Sequence, residues 1–122
     1  MPPKDDTLLT LRTLLREFAL DRDWQKFHTP KNLAVSVAIE AGELLEAFQW
    51  LESGALAELQ QLPASRLESV RNEIADVLLY LIRLADVLDI DLESAAMDKL
   101  NKNAAKYPVL RVRGDPRKYD EY

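Results

Sequence analysis

Two pairs of acidic residues lie inside the most apolar helical segments of this chain, and their placement constrains the fold more than any other feature. Glu40 and Glu43 form the first pair, and Glu73 and Asp76 form the second. Because an α-helix turns once in about 3.6 residues, side chains three positions apart share a face. Buried carboxylates are costly unless a cation lies between them. If the two helices face each other, the four carboxylates converge on one cation site.

The composition favours an all-α domain of ordinary size. The chain has 122 residues and only three glycines, and Leu, Ala, Glu, Lys and Arg dominate it. The apolar spacing predicts four main helices, and a helical chain this short often gains stability as an oligomer. The expected helix limits are about 6–21, 30–50 or 52, 65–88 and 92–106, with a linker at 53–64 that has room for a short helix.

Capping residues mark three of the predicted helix starts. Thr29 precedes the second helix, Asp91 precedes the fourth, and Ser65 with Glu68 forms a capping box at the third. We expect residues 1–110 to form the domain and residues 111–122 to form a charged, extended C-terminal tail.

Several functional classes are excluded by composition. Cysteine is absent, which removes disulfides, thiolate zinc sites and a cysteine nucleophile. The net charge of −5 argues against general binding to nucleic acid. Because neither a signal peptide nor a membrane-length apolar run is present, the sequence predicts a soluble cytoplasmic protein with no membrane partner.

The chemistry of the acidic pairs favours a hard divalent cation, Mg²⁺ or alternatively Mn²⁺. A single such pair is more often an ordinary solvated feature of a helix, but two pairs, each flanked by core residues, favour a metal site. A carboxylate-bridged di-iron site would need Glu-x-x-His on two helices. The one histidine, His28, lies in the aromatic connector at 22–30, where we expect it to make a structural hydrogen bond.

A magnesium cluster in a protein most often binds phosphate, and a Walker-type glycine-rich loop is absent here. Positive partners must therefore come from side chains. Lys99, Asn103 and Lys106 share a face of the fourth helix. The alternative is a solvated last turn favoured by the helix dipole.

Beside the two acidic pairs, the chain contains an ordered set of motifs: RDWQKFHTPKNL at 22–33, GELLEAFQW at 42–50, EIADVLLYL at 73–81, KLNKNAAKYP at 99–108 and the late Arg117-Lys118-Tyr119. Together they resemble the all-α nucleoside triphosphate pyrophosphohydrolases of the MazG-like superfamily, in the dCTP pyrophosphatase branch. The resemblance spans roughly residues 15–120.

This resemblance implies Mg²⁺-dependent hydrolysis of a deoxynucleoside triphosphate, dCTP or a modified dCTP, to the monophosphate and pyrophosphate in nucleotide-pool sanitation. It implies that water attacks the α-phosphorus, with Glu43 and Glu46 both candidates for the base. It also implies a homodimer or homotetramer with sites near subunit interfaces. The metal ligands would be Glu40, Glu43, Glu73 and Asp76.

The resemblance also implies substrate-binding residues. Trp24 and Trp50 match aromatic base-pocket positions, although aromatics in a small helical domain are usually core. Tyr80, Lys99 and Asn103 match sugar or phosphate contacts, and Lys106 is basic where the pattern is basic. Arg16 stands where the branch has a base-pocket histidine, and its alternative role is that of a solvated helix residue. Two further alternatives for the whole chain are a triphosphate pyrophosphatase of broader specificity and a non-catalytic helical oligomeric module.

Overall fold

The computed structural model describes residues 6–118, 120 and 121, and this part of the chain is helical with no strand. The predicted all-α class is confirmed for these residues. Residues 1–5, Tyr119 of the late motif and Tyr122 lie outside them. The helices are α1 (Thr7–Asp21), α2 (Pro30–Glu46), α3 (Leu56–Leu59), α4 (Ala64–Val87), α5 (Leu92–Lys106) and α6 (Val109–Val112), with a single 3₁₀ turn at Gln25–Phe27.

The chain divides into two compact units, one ending at Asp89 and the other beginning at Ile90. The first unit holds α1 to α4, and the second holds α5 and α6. The predicted domain limit at residue 110 and the number of helices in the bundle stay predictions. No helix within the described ranges has the length and apolarity needed to cross a bilayer.

Two of the predicted caps are confirmed. The side-chain oxygen of Thr29 accepts a hydrogen bond from the backbone N–H of Asn32 at 3.2 Å, and Pro30 occupies the first turn of α2. A carboxylate oxygen of Asp91 accepts from the backbone N–H of Ser94 at 3.0 Å. The sequence therefore sets where α2 and α5 begin.

Three boundary predictions are wrong. Helix α2 ends at Glu46 because the N–H groups of residues 47–49 donate to carbonyls three positions back, which forms turns instead of helix. The capping box at Ser65 does not form, since Pro63, with φ of −56°, already leads into α4 at Ala64. The start of the supposedly extended tail is helical, because Pro108 is followed by the short α6.

The core of the first unit is small. Helices α1 and α2 both pack on α4, and the buried apolar residues in the described part of the chain are Ala19, Leu33, Ile82 and Ala85. One face of α4 instead carries large apolar residues that are 39–54% exposed. At 100° per residue these residues align along the helix, and we call them the α4 stripe, which includes the C-cap residue Leu88: Leu67, Ile74, Leu78, Leu81 and Leu88.

Candidate metal centre and adjoining cavity

The packing of α2 against α4 brings carboxylates from the two acidic pairs together. One carboxylate oxygen from each of Glu40, Glu73 and Asp76 lies within 4.8 Å of the other two. All three residues are half-buried. Glu43, one turn further along α2, is exposed and lies outside this group of three. The structure thus joins three of the four predicted ligands in one cluster.

This cluster is electrostatically unsatisfied. The Oε2 atoms of Glu40 and Glu73 are buried, and neither has a hydrogen-bond partner among the residues that the structure describes. The pKa of Glu40 is raised to about 7, first by loss of hydration, then by the hydrogen bonds that a protonated Glu40 can donate to Glu43 and Glu73, and further by the negative charges of Glu43 and Asp76. A perturbed carboxylate among other carboxylates is typical of a functional site.

The donor set suits a hard divalent cation. The cluster offers only carboxylate oxygens, which Mg²⁺ and Mn²⁺ prefer over nitrogen or sulfur. A cation between Glu40 and Glu73 would supply partners for the two buried Oε2 atoms and offset the crowding of negative charge. The residues present therefore fit the metal that the sequence predicts.

A cavity of about 330 Å³ adjoins the cluster, and Asp76 belongs to both. Most of its wall is apolar, and the polar groups are few, which is typical of a small-molecule site. The lining residues are Leu15, Phe18, Trp24, His28, Asp76, Leu79, Tyr80 and Arg83. A ligand in this cavity would have one end at the carboxylates and the other between aromatic side chains.

The turn after α1 places Trp24 in the cavity wall. Asp23 adopts a φ of +54°, a left-handed conformation that Asp tolerates better than most residues. The backbone N–H of Trp24 then reaches back to the carbonyl of the buried Ala19 at 2.9 Å. The indole packs edge-on against Phe18, with ring centroids 5.9 Å apart.

A partly buried ionic network centred on Asp86 includes Arg83 of the cavity wall. Arg83, whose side chain is only 12% exposed, donates from Nε to Nδ1 of His28 at 3.0 Å and from Nη1 to Oδ2 of Asp86 at 3.1 Å. Arg16 donates from Nε to the same Oδ2 at 2.7 Å and from Nη2 to Oδ1. Arg12 adds a third guanidinium, 3.9 Å from Oδ1.

The network sets the charge state of its members. The hydrogen bonds from Arg16 lower the pKa of Asp86, and the positive charges of Arg16, Arg83 and Arg12 lower it further. Loss of hydration and the charge of Arg83 lower the pKa of His28. Asp86 is therefore a buried carboxylate and His28 a neutral imidazole at pH 7.

The predicted substrate residues are distributed unequally around this site. Trp24 and Tyr80 line the cavity, whereas Arg16 pairs with Asp86 and is not part of the wall. Trp50 follows the end of α2 and is 85% exposed. The remaining predicted contacts, Lys99, Asn103 and Lys106, lie on α5 in the second unit. Their contacts with substrate stay predictions.

Sequence reasoning gave Asp86 no role and placed His28 only in a structural hydrogen bond. That bond exists, and its donor is Arg83. The signal for Asp86 was present, because Asp76, Tyr80, Arg83 and Asp86 follow at helical spacing along one face of α4. The sequence does not reveal that Asp76, Tyr80 and Arg83 on this face line the cavity.

The sequence and the fold of this chain are similar to those of known pyrophosphatases. A model of the MazG-like family matches residues 35–121. Human dCTP pyrophosphatase 1 is 39% identical over 117 residues, which cover 96% of this chain and 68% of the relative. The protein of the same name from Bos taurus is 38% identical, with 96% and 69% covered. The crystal structure of a pyrophosphatase from Archaeoglobus fulgidus superposes with a TM-score of 0.76 at 44% identity, covering 88% of this chain and 98% of that one.

Proposed function

The chain belongs to the MazG-like family and is a nucleoside triphosphate pyrophosphohydrolase, and we propose that dCTP or a modified dCTP is its preferred substrate. The proposed products are the monophosphate and pyrophosphate, and the proposed cofactor is Mg²⁺. One observation carries the proposal: Asp76 belongs both to the carboxylate cluster and to the wall of a cavity that Phe18, Trp24 and Tyr80 also line.

The metal would be held by Glu40, Glu73 and Asp76, with Glu43 as a further ligand on α2. A cation held there would neutralise phosphate oxygens and lower the pKa of a bound water. The protein would position the triphosphate so that its phosphates reach the cation that these carboxylates hold. Glu43 and Glu46, both exposed and three positions apart on α2, are the two candidates for the group that accepts the proton of the attacking water.

The rest of the nucleotide would occupy the cavity. Trp24 offers an aromatic face to the base, and Tyr80, one turn beyond Asp76 on α4, offers a hydroxyl to the sugar or phosphates. Because the described wall has few polar groups, the binding of the base relies mainly on stacking and burial. We propose that Trp50 also contacts the nucleotide, and that the polar residues of α5, which are Lys99, Asn103 and Lys106, bind the sugar or the phosphates.

The proposed assembly is a homodimer or homotetramer. The α4 stripe supports this assembly, because exposed apolar residues that recur at helical intervals of seven, four and three positions are typical of helix association. Association through it would bury residues close in sequence to Glu73 and Asp76, in keeping with sites near subunit interfaces. The proposed location is the cytoplasm, where the enzyme would remove unwanted deoxynucleotides from the pool.

A broader base specificity is the second candidate. It is favoured by the position of Arg16, which is hydrogen-bonded to Asp86 and does not line the cavity. The predicted contact between the Arg16 guanidinium and the base is therefore missing from the cavity wall. The non-catalytic alternative is not supported, since the carboxylate cluster is intact and the relatives are named as pyrophosphatases.

A product analysis tests the reaction. Incubation with Mg²⁺ and dCTP should yield dCMP and pyrophosphate, and release of orthophosphate as the first product would contradict the proposed reaction. Measurement of kcat/KM for the eight common nucleotides then decides between dCTP preference and broad specificity. A Glu73→Gln variant with full Mg²⁺-dependent activity would rule out the metal assignment.

A further inference from the structure

The basic residues of this acidic chain are concentrated in one segment. Residues 99–118 hold seven of the 16 lysines and arginines but only one of the 21 acidic residues, which is Asp115. Part of this positive charge lies on α5, among the proposed substrate contacts. Another part lies beyond α6 on exposed side chains, which are Arg113, Arg117 and Lys118. A concentration of one sign of charge favours a ligand of the opposite sign.

The single acid of this segment holds Arg117 in a fixed orientation. Nε of Arg117 donates to Oδ1 and Oδ2 of Asp115 at 3.0 and 2.9 Å, and Nη2 donates to Oδ2 at 2.6 Å. Oδ1 also accepts from the backbone N–H of Arg117 at 3.1 Å. The hydrogen bonds from the Arg117 side chain lower the pKa of Asp115, so both partners are charged at neutral pH.

The backbone closes a small loop around this pair. Gly114 has a φ of +79°, a left-handed conformation that favours glycine. Nη1 of Arg117 donates to the carbonyl of Glu121 at 3.0 Å, and the carboxylate of Glu121 accepts from the backbone N–H of Lys118 at 2.9 Å. We call residues 113–118 together with Glu121 the Arg117 loop. Its guanidinium is held by a carboxylate and by a carbonyl.

Stability alone does not account for this arrangement. The side chain of Arg117 is 55% exposed, and an ion pair of such a residue contributes little to the free energy of unfolding because water screens it. One hydrogen on Nη1 and one on Nη2 have no acceptor among the described residues. An exposed guanidinium that is already oriented and keeps unused donors is suited to phosphate, whose oxygens match its planar fork.

We propose that the Arg117 loop binds the terminal phosphates of the nucleoside triphosphate through the guanidinium of Arg117, and that Asp115 is the positioning residue that orients it. The proposal rests on the proposed function, because it takes the substrate to be a triphosphate. The terminal phosphates are those that leave as pyrophosphate. The loop therefore distinguishes the triphosphate and pyrophosphate from the monophosphate, which lacks them.

Calorimetric titration with the two products tests the contact directly. Wild-type protein with Mg²⁺ should bind pyrophosphate, and Arg117→Ala should weaken this binding about tenfold while the affinity for dCMP stays within about twofold. Arg117→Lys keeps the charge but loses the fork, and it should recover only part of the loss. A wild-type protein that does not bind pyrophosphate, or an Arg117→Ala protein that binds it equally well, would overturn the proposal.

Lys102→Ala is the matched control. It removes one positive charge from an exposed position in the same basic segment but outside the loop. At about 0.15 M salt the long-range effect of a single charge is largely screened, so this variant should bind pyrophosphate like the wild type. An equal loss in Lys102→Ala and Arg117→Ala would indicate general charge attraction and overturn the role of Arg117.

Kinetics tests whether Asp115 acts through Arg117. We expect Arg117→Ala to raise KM for dCTP about tenfold with kcat within about twofold, and Asp115→Ala to raise KM several-fold. The double variant should have the same KM as Arg117→Ala, because the guanidinium that Asp115 orients is already missing. Losses that multiply in the double variant would show that Asp115 acts independently and would overturn its positioning role.

The outcomes separate the two proposals. Unchanged pyrophosphate binding by Arg117→Ala, with normal dCTP hydrolysis by the wild type, would overturn the role of the loop and leave the function intact. Absence of hydrolysis of every nucleoside triphosphate by the wild type would overturn the function itself, whatever the titrations show.

Discussion

Glu40 on α2 and Glu73 on α4 each keep one carboxylate oxygen, Oε2, buried and without a hydrogen-bond partner in the described part of the chain. Neighbouring carboxylates that lack partners repel each other and lose hydration, so this pair opposes folding in the absence of a cation. A site that costs stability when empty is typical of functional residues.

Neutralising one member of this pair should raise the stability of the protein and lower its activity. We expect Glu73→Gln to raise the melting temperature of the metal-free protein, because charge repulsion falls, and to lower kcat/KM with Mg²⁺ by at least about 100-fold. Thermal unfolding in EDTA and a pyrophosphate-release assay measure the two effects. Glu68→Gln, an exposed position on the same helix, should change neither. A Glu73→Gln protein that is both less stable and fully active would contradict this account.

The raised pKa of Glu40 predicts an unusual pH dependence. A glutamate with its ordinary pKa near 4.5 when unfolded and about 7 when folded is protonated more readily in the native state. The unfolded chain therefore releases its proton first, and the free energy of unfolding falls as the pH rises from about 4.5 to about 7.

Thermal unfolding of metal-free protein between pH 5 and pH 8 measures this effect. The wild type should lose on the order of 4 °C or more relative to Glu40→Gln across this range, and Mg²⁺ should restore more stability at pH 8 than at pH 6. Parallel pH profiles of the two proteins would show that Glu40 does not titrate in this way.

The Asp86 network should be important for stability. Asp86→Ala leaves three guanidiniums facing a vacated site, and we expect a loss of about 3 kcal/mol in the free energy of unfolding, measured with urea. Because contacts with Arg16 and the other arginines lower the pKa of Asp86, its contribution is present above about pH 4 and is lost as the pH falls further. Asp21→Asn is the control, since this exposed acid is the last residue of α1 and makes no contact with Asp86. A loss as small as that of the control would mean that the network contributes little.

Glu58 should determine the position of Trp50. Its carboxylate accepts hydrogen bonds from the backbone N–H groups of residues 52, 53 and 54, at 3.1, 3.2 and 2.9 Å, and so orders the turn just after the indole. If Trp50 contacts the base, Glu58→Ala should raise KM for dCTP several-fold and leave kcat within about twofold. Gln61→Ala in the same segment should leave both unchanged. A lower melting temperature with an unchanged KM would show that Glu58 stabilises the fold but that Trp50 does not contribute to substrate binding.

The α4 stripe should hold the subunits together. Leu78→Glu places a charge at its centre and should shift the protein toward monomer, as measured by light scattering after size-exclusion chromatography. Leu110→Glu, at a fully exposed position on α6, is the matched control and should leave the assembly unchanged. If the Leu78→Glu assembly keeps the wild-type mass, the subunit interface does not involve the α4 stripe.

The sequence predicted the local features of this fold well, because they depend on neighbouring residues. Thr29 and Asp91 cap their helices as expected, and the three-residue spacing of the acids placed them on shared faces. The failures involve longer range or competing turns. Arg16 was considered for the base pocket, but its partner Asp86 lies 70 positions away, and nothing in the local pattern around Arg16 indicates which helix it will meet.

The carboxylate cluster has one more consequence for how the protein meets its cofactor. With a pKa of about 7, Glu40 holds a proton in roughly half of the cation-free molecules at neutral pH. Carboxylates bind metals in their ionised form, so occupation of the cluster is an exchange of a cation for a proton. The heat of cation binding will therefore depend on the buffer that takes up the proton. When the pH falls by one unit, protons therefore compete more strongly with the metal for the carboxylate of Glu40.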